Sequence, residues 1–164
     1  MLRDKSLIPL SHQHQRALAL CVRIERAQPI PEKDLEAWRA EIETLFEHEI
    51  KIHFAAEEDV VFPEARNFAR LVPLVDELLV DHAALREVFS QIEEQRISSE
   101  SLSAFAKQLS AHIRKEERQL FEGIQELMTA EDLADLGQRL DIALKDVADS
   151  CAVPSEATRL KAKK

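Results

Sequence analysis

Residues 34–62 read DLEAWRAEIETLFEHEIKIHFAAEEDVVF. Leu35, Trp38, Ile42, Leu45 and Val60 recur every three or four positions, the spacing of one helix face, and no proline or glycine interrupts them. Glu49, His53 and Glu57 fall on the same stripe. A buried ionised carboxylate is costly unless something compensates it, so polar residues at the centre of an apolar stripe call for a reason. Prolines bound this helix on both sides. Pro29-Ile-Pro31 precedes a start near Pro31–Asp34, and Pro63 is expected to end it at Phe62.

The pattern repeats outward in both directions. A first helix, with Ser11 as its N-cap, is expected to reach about Gln28 and to carry the stripe Leu7, Leu10, His14, Leu18, Cys21. A third, about Leu71–Arg96, carries Val75, Leu78, His82, Leu85, Phe89, Ile92. A fourth, about Glu100–Met128, carries Leu102, Phe105, Leu109, His112, Glu116, Leu120. Thr129-Ala-Glu-Asp132 resembles a capping box with Asp in place of Glu, opening a fifth helix to about Asp149. No strand-like alternation occurs. The expected fold is all-α, an antiparallel up-down-up-down four-helix bundle with an additional C-terminal helix. Residues 1–150 are expected to form one domain and 151–164 a tail. By axial height the second helix overshoots by about two turns, or its first turns lie outside the bundle.

Composition narrows the function. The chain has 164 residues, 22 Lys+Arg and 31 Asp+Glu, for a formal net charge of -9, which argues against a nucleic-acid partner. Two cysteines, Cys21 and Cys151, build neither a disulfide framework nor a Cys-rich zinc site. The longest apolar run, Ala17–Val22, is too short for a membrane span or a signal-peptide core, so a cytoplasmic location is the default expectation.

Each of four helices therefore places one His in its core stripe, and two add a Glu at i+4 on the same face. Two buried carboxylates beside four imidazoles need a shared cation. Two ligands from each of two helices and one from each of the others can enclose a binuclear centre. Imidazole with carboxylate suits iron, zinc or manganese. The candidate metal ligands are His14, His53, Glu57, His82, His112 and Glu116. His12 and His48 fall off the stripes and read as surface residues. Glu58 and Glu117 read as solvated neighbours, and Cys21 as a small core residue. Glu49 reads equally as an acceptor orienting an imidazole or as a boundary residue.

Four segments carry a family resemblance: Leu10-Ser-His-Gln-His14, His53-Phe-Ala-Ala-Glu57, Asp81-His82-Ala-Ala-Leu-Arg86 and His112-Ile-Arg-Lys-Glu116. In this order they resemble hemerythrin-like (HHE cation-binding) proteins over about residues 7–128. The resemblance implies a four-helix bundle around a non-haem di-iron centre, bridged by oxo or hydroxo groups and by Glu57 and Glu116. It also implies a small ligand: O2, peroxide or NO. Oxygen-carrying members have a fifth His one turn after the third-helix His, where this chain has Arg86. Arg86 is expected to leave one iron more open, or to offer its cation to a bound anion, its charge met by a carboxylate such as Glu49. The departure counts against plain reversible O2 carriage. Iron handling and a regulatory bundle with a structural metal are the alternative functions, and whether the protein is an enzyme is open.

Overall fold

The computed structural model describes residues 2–94, 97–147 and 154–160. These form five helices and no strand. Helix α1 is Ile8–Arg26. Helix α2 covers residues 32–65, α3 is Val72–Glu93, α4 covers residues 99–127 and α5 is Ala130–Ala143. Cys151 and the expected helix ends at Arg96 and Asp149 lie outside the described residues.

The first four helices are an antiparallel bundle. Between α1 and α2, Arg23 meets Glu41, Arg16 meets Glu49 and Gln13 meets His53, so one helix descends as the other rises. The same crossing holds between α1 and α4, where Arg3 bonds Gln125 near one end and Ser103 bonds Glu25 near the other. Gln28 accepts from Ser99 Oγ, tying the end of α1 to the start of α4.

Two local expectations are corrected, and one of two alternatives for the start of the second helix is removed. Helix α1 begins at Ile8, not after Ser11. Pro9 sits in its first turn, where a missing N–H costs nothing, and no side chain caps it. Helix α2 does not stop at Phe62. Pro63 lies in the first turn of the α segment Phe62–Ala65, directly after a wide π turn, and the helix runs on through it. The first turns of α2 also lie against the bundle: Trp38 is buried, with the Arg23 guanidinium over its ring. The turn at residues 154–160 lies at the same end, where Arg23 donates to the Thr158 carbonyl and Thr158 is buried. Two starts follow the sequence closely. Ser98 caps α4, and Thr129 and Asp132 form the reciprocal capping box of α5.

Two apolar clusters fill the interior. One, around Leu20, Trp38, Phe89 and Phe105, occupies the end near the α1–α2 connection. The other, around Leu10, Phe62, Leu78 and Phe121, takes in Leu136 and Leu140 of α5. Gly137 lets α5 approach closely, since a Cβ there would meet Ser6 Oγ at 2.8 Å. Between the two clusters lies a polar layer.

Candidate metal centre

The polar layer is built on helices that are locally unwound. In α2 the inward residues Leu45, Glu49, His53, Glu57 and Val61 follow one another in steps of four. On an ideal α-helix each such step drifts by about 40°. Two π turns, Phe46–Ile50 and Glu57–Val61, absorb the drift. In the first the Lys51 N–H reaches the Phe46 carbonyl, and in the second the Phe62 N–H reaches the Glu57 carbonyl, each five residues back. In α4 the run His112, Glu116, Leu120, Ile124 is held inward by the π turn Glu116–Leu120. The wide turns also correct the stripe, because Val61 faces in and Val60 is only half-buried. In α1, Ala17 is likewise buried and Leu18 half-buried.

His14, His53, His82, His112, Glu57 and Glu116 are at most 5 % exposed. They form two overlapping groups whose candidate ligand atoms lie within 4.8 Å of one another. His14, His53, Glu57 and Glu116 make one group; Glu57, His82, His112 and Glu116 make the other. The shared carboxylates face both ways. Glu57 Oε1 is 3.3 Å from His53 Nε2, and its Oε2 is 3.4 Å from His82 Nε2. Glu116 Oε2 is 3.2 Å from His14 Nε2, and its Oε1 is 3.2 Å from His112 Nε2 and 3.6 Å from His82 Nε2. His14 Nε2 and His53 Nε2 are 3.0 Å apart. Nitrogens held about 2.1 Å from one shared ion sit roughly 3.0–3.4 Å apart. Both oxygens of Glu57 and of Glu116, with the Nε2 atoms of His82 and His112, are buried without a hydrogen-bond partner. So many unpaired buried polar atoms are costly, and two cations between the groups would satisfy them. The donor set therefore fits a pair of metal ions.

Behind each imidazole stands a partner from the preceding helix of a closed cycle. Gln13 of α1 serves His53 of α2, with its Oε1 2.6 Å from Nδ1. Glu58 of α2 serves His82 of α3 at 2.7 Å. Asp81 of α3 approaches His112 of α4 at 3.4 Å. Glu117 of α4 serves His14 of α1 at 2.7 Å. Carboxylates only accept, so Nδ1 of His14 and His82 donates and Nε2 is the atom each ring turns to the centre. Cations hold the outer carboxylates in turn: Arg3 on Glu117 at 2.6 Å, Arg86 on Glu58 at 2.8 Å and Lys115 on Asp81 at 2.7 Å. These partners are each one residue from an inward His or Glu. Glu58 and Glu117 are thus ring partners rather than solvated neighbours, and Gln13 and Asp81, which no apolar stripe marks, complete the set.

The layer's electrostatics demand positive charge. Burial opposes a charged His14, but Glu116 and Glu117 overcome it and raise the ring to about 9. His82 is raised to about 10 by Glu116 and Glu57, again against burial. Burial and mutual repulsion push Glu57 up; His53 and His82 more than offset them and leave it below the usual carboxylate range. Glu116 lies well below that range, because His112, His14 and His82 outweigh its burial. Glu117, half-buried, is lowered to about 2 by His14 and Arg3 despite its desolvation.

Residues 9–124 match the family model described as the hemerythrin HHE cation binding domain. The chain belongs to that family. No curated protein and no solved structure matches it significantly. Within the family's frame, Arg86 is turned outward, 42% exposed, and paired with Glu58 rather than Glu49. Phe54 stacks on His82 with ring centroids 3.8 Å apart, and the Arg86 guanidinium lies over Phe54. His12 and His48 are exposed, and Cys21 is a free buried thiol in the core. Glu49 is buried, and Arg16 Nε donates to both its oxygens at 2.8 Å, while Gln13 takes the His53 ring.

Beside His14, His53, His112 and Glu116 lies a cavity of about 20 Å³. Ala17, Ile50, Phe54, Leu109 and Ile113 supply apolar walls. A cavity this small admits a ligand of only a few heavy atoms. Among the described residues no helix is long and apolar enough to cross a membrane.

Proposed function

We propose that this protein holds two iron ions through His14, His53, Glu57, His82, His112 and Glu116, and uses them to bind, sense or react with O2, peroxide or NO. The observation that carries this reading is the pair of carboxylates, each turning one oxygen to one His pair and the other oxygen to the second. Bound iron supplies open coordination positions and electrons shared between two centres. The chain's own residues do the rest. Glu117, Gln13, Glu58 and Asp81 hold the rings so that Nε2 faces inward. Ala17, Ile50, Phe54, Leu109 and Ile113 limit water and leave room for a small molecule. Full burial of the six residues favours resident ions over ions passed on to other proteins. Arg86 stands where oxygen carriers place a fifth imidazole, and its side chain points away from the centre, which supports a role other than reversible O2 carriage. The test is reconstitution with iron under reducing conditions, followed by O2, peroxide or NO while near-ultraviolet and visible charge-transfer bands are recorded. Bands that change with an added ligand are expected. A spectrum indifferent to all three would contradict the reading and favour a purely structural metal.

A further inference from the structure

One buried carboxylate in the polar layer belongs to neither metal-binding group. Glu49 is 2 % exposed and lies in the wall of the small cavity, one helical turn before His53. Its only hydrogen-bonding partner among the described residues is Arg16, whose Nε donates to both oxygens at 2.8 Å. Arg16 is 38% exposed, so it approaches Glu49 from the solvent side. Each Glu49 oxygen keeps further accepting capacity, and a carboxylate has no hydrogen to give. Beyond the metal-facing groups His14, His53, His112 and Glu116, the cavity therefore carries one further acceptor-only carboxylate in its wall.

We propose that Glu49 is a specificity-determining residue: it selects against anions in this cavity and for a small neutral molecule that donates a hydrogen bond, hydrogen peroxide. The proposal rests on the small-ligand reading above. An anion entering beside His53 meets the Glu49 charge in a poorly solvated space, where like charges repel far more strongly than in water. Hydrogen peroxide brings no charge and offers an O–H to the free Glu49 lone pairs. Arg16 holds Glu49 in place and only partly cancels its charge, since its own charge is shared with solvent on its exposed side.

Two substitutions separate charge from hydrogen bonding. Glu49→Gln removes the charge and keeps an acceptor, whereas Glu49→Met removes both at similar size. With iron-reconstituted full-length protein, azide binding is titrated by absorbance, and hydrogen peroxide is tested as a competitor on the stopped-flow timescale. Metal content is measured in parallel. Azide should bind about tenfold or more tightly in both variants than in the wild type, with two irons retained. Peroxide should compete normally in Glu49→Gln and more weakly in Glu49→Met. Equal azide affinity in all three proteins would overturn the proposal. So would loss of one iron equivalent from the variants, since Glu49 would then be a ligand. If neither azide nor peroxide perturbs the iron in any of the three, the small-ligand reading itself fails, and this proposal with it.

Discussion

At the scale of single residues, each His or Glu of the two metal-binding groups bears a burial cost that metal offsets, so deleting any one of them should weaken metal binding. Each was legible because it breaks a pattern that physical chemistry otherwise enforces. The α3 stripe Val75, Leu78, His82, Leu85, Phe89, Ile92 is buried at every position. The partners behind the rings were not legible. Glu58, Glu117, Asp81 and Gln13 look like ordinary surface or boundary residues, because a helix turns about 100° per residue and the sequence does not say which neighbouring helix lies there. A signal was present all the same. Each inward residue that anchors the cycle has a carboxylate or amide directly beside it, as in Glu57-Glu58 and Glu116-Glu117. Two predictions belong here. His112→Ala should lower the metal content of folded protein far more than His48→Ala, because His112 is buried beside Glu116 and His48 is exposed. Equal losses, by elemental analysis, would sink the assignment. Glu58→Gln keeps an acceptor for His82 Nδ1, as Gln13 does for His53, and removes the charge that Arg86 balances. Metal affinity, measured by chelator competition, should fall about tenfold, and Glu58→Ala should approach the roughly 100-fold end of the usual range.

At the scale of elements, helix existence and order followed from periodicity, and starts were read well where a cap is written in side chains, as at Thr129 and Asp132. The π turns were not foreseen. A regular three-and-four stepping places Val60 inward, whereas Leu45, Glu49, His53, Glu57 and Val61 form an unbroken run of four-residue steps. Such a run is itself the mark of an under-wound helix, and π turns recur at functional sites. Pro63 misled for the same reason: it sits just after a wide turn, where the helix tolerates it. Helix α5 supplies no residue to either metal-binding group; it packs on the apolar cluster around Phe62 and on the outside of the Glu57–Val61 turn. Thr129→Ala should therefore cost about 1 kcal/mol of stability by loss of the cap and leave metal content unchanged. Chemical denaturation and elemental analysis check both halves, and metal loss in step with the stability loss would show that α5 bears on the site.

At the scale of the whole molecule, protons and metal compete for one buried negative layer. Without metal, His14 and His82 are held protonated up to about 9 and about 10. Groups whose folded pKa lies above the unfolded value of about 6.5 stabilise the fold fully below that value, and the contribution fades as pH rises through the folded pKa. Metal-free protein should thus lose stability between about pH 7 and 10. Metal binding displaces those protons, so apparent metal affinity should keep rising over the same window, where ordinary imidazoles would have levelled off by about pH 7.5. The melting-temperature difference between loaded and chelated protein should widen with pH, and a difference constant from pH 7 to 9 would contradict this account. The central claim is that Glu57 and Glu116 join two His pairs into one site for two ions. The most direct measurement is metal stoichiometry after anaerobic reconstitution with ferrous iron and removal of loosely bound metal. The account predicts two ions per chain, and a value of one or less would contradict it.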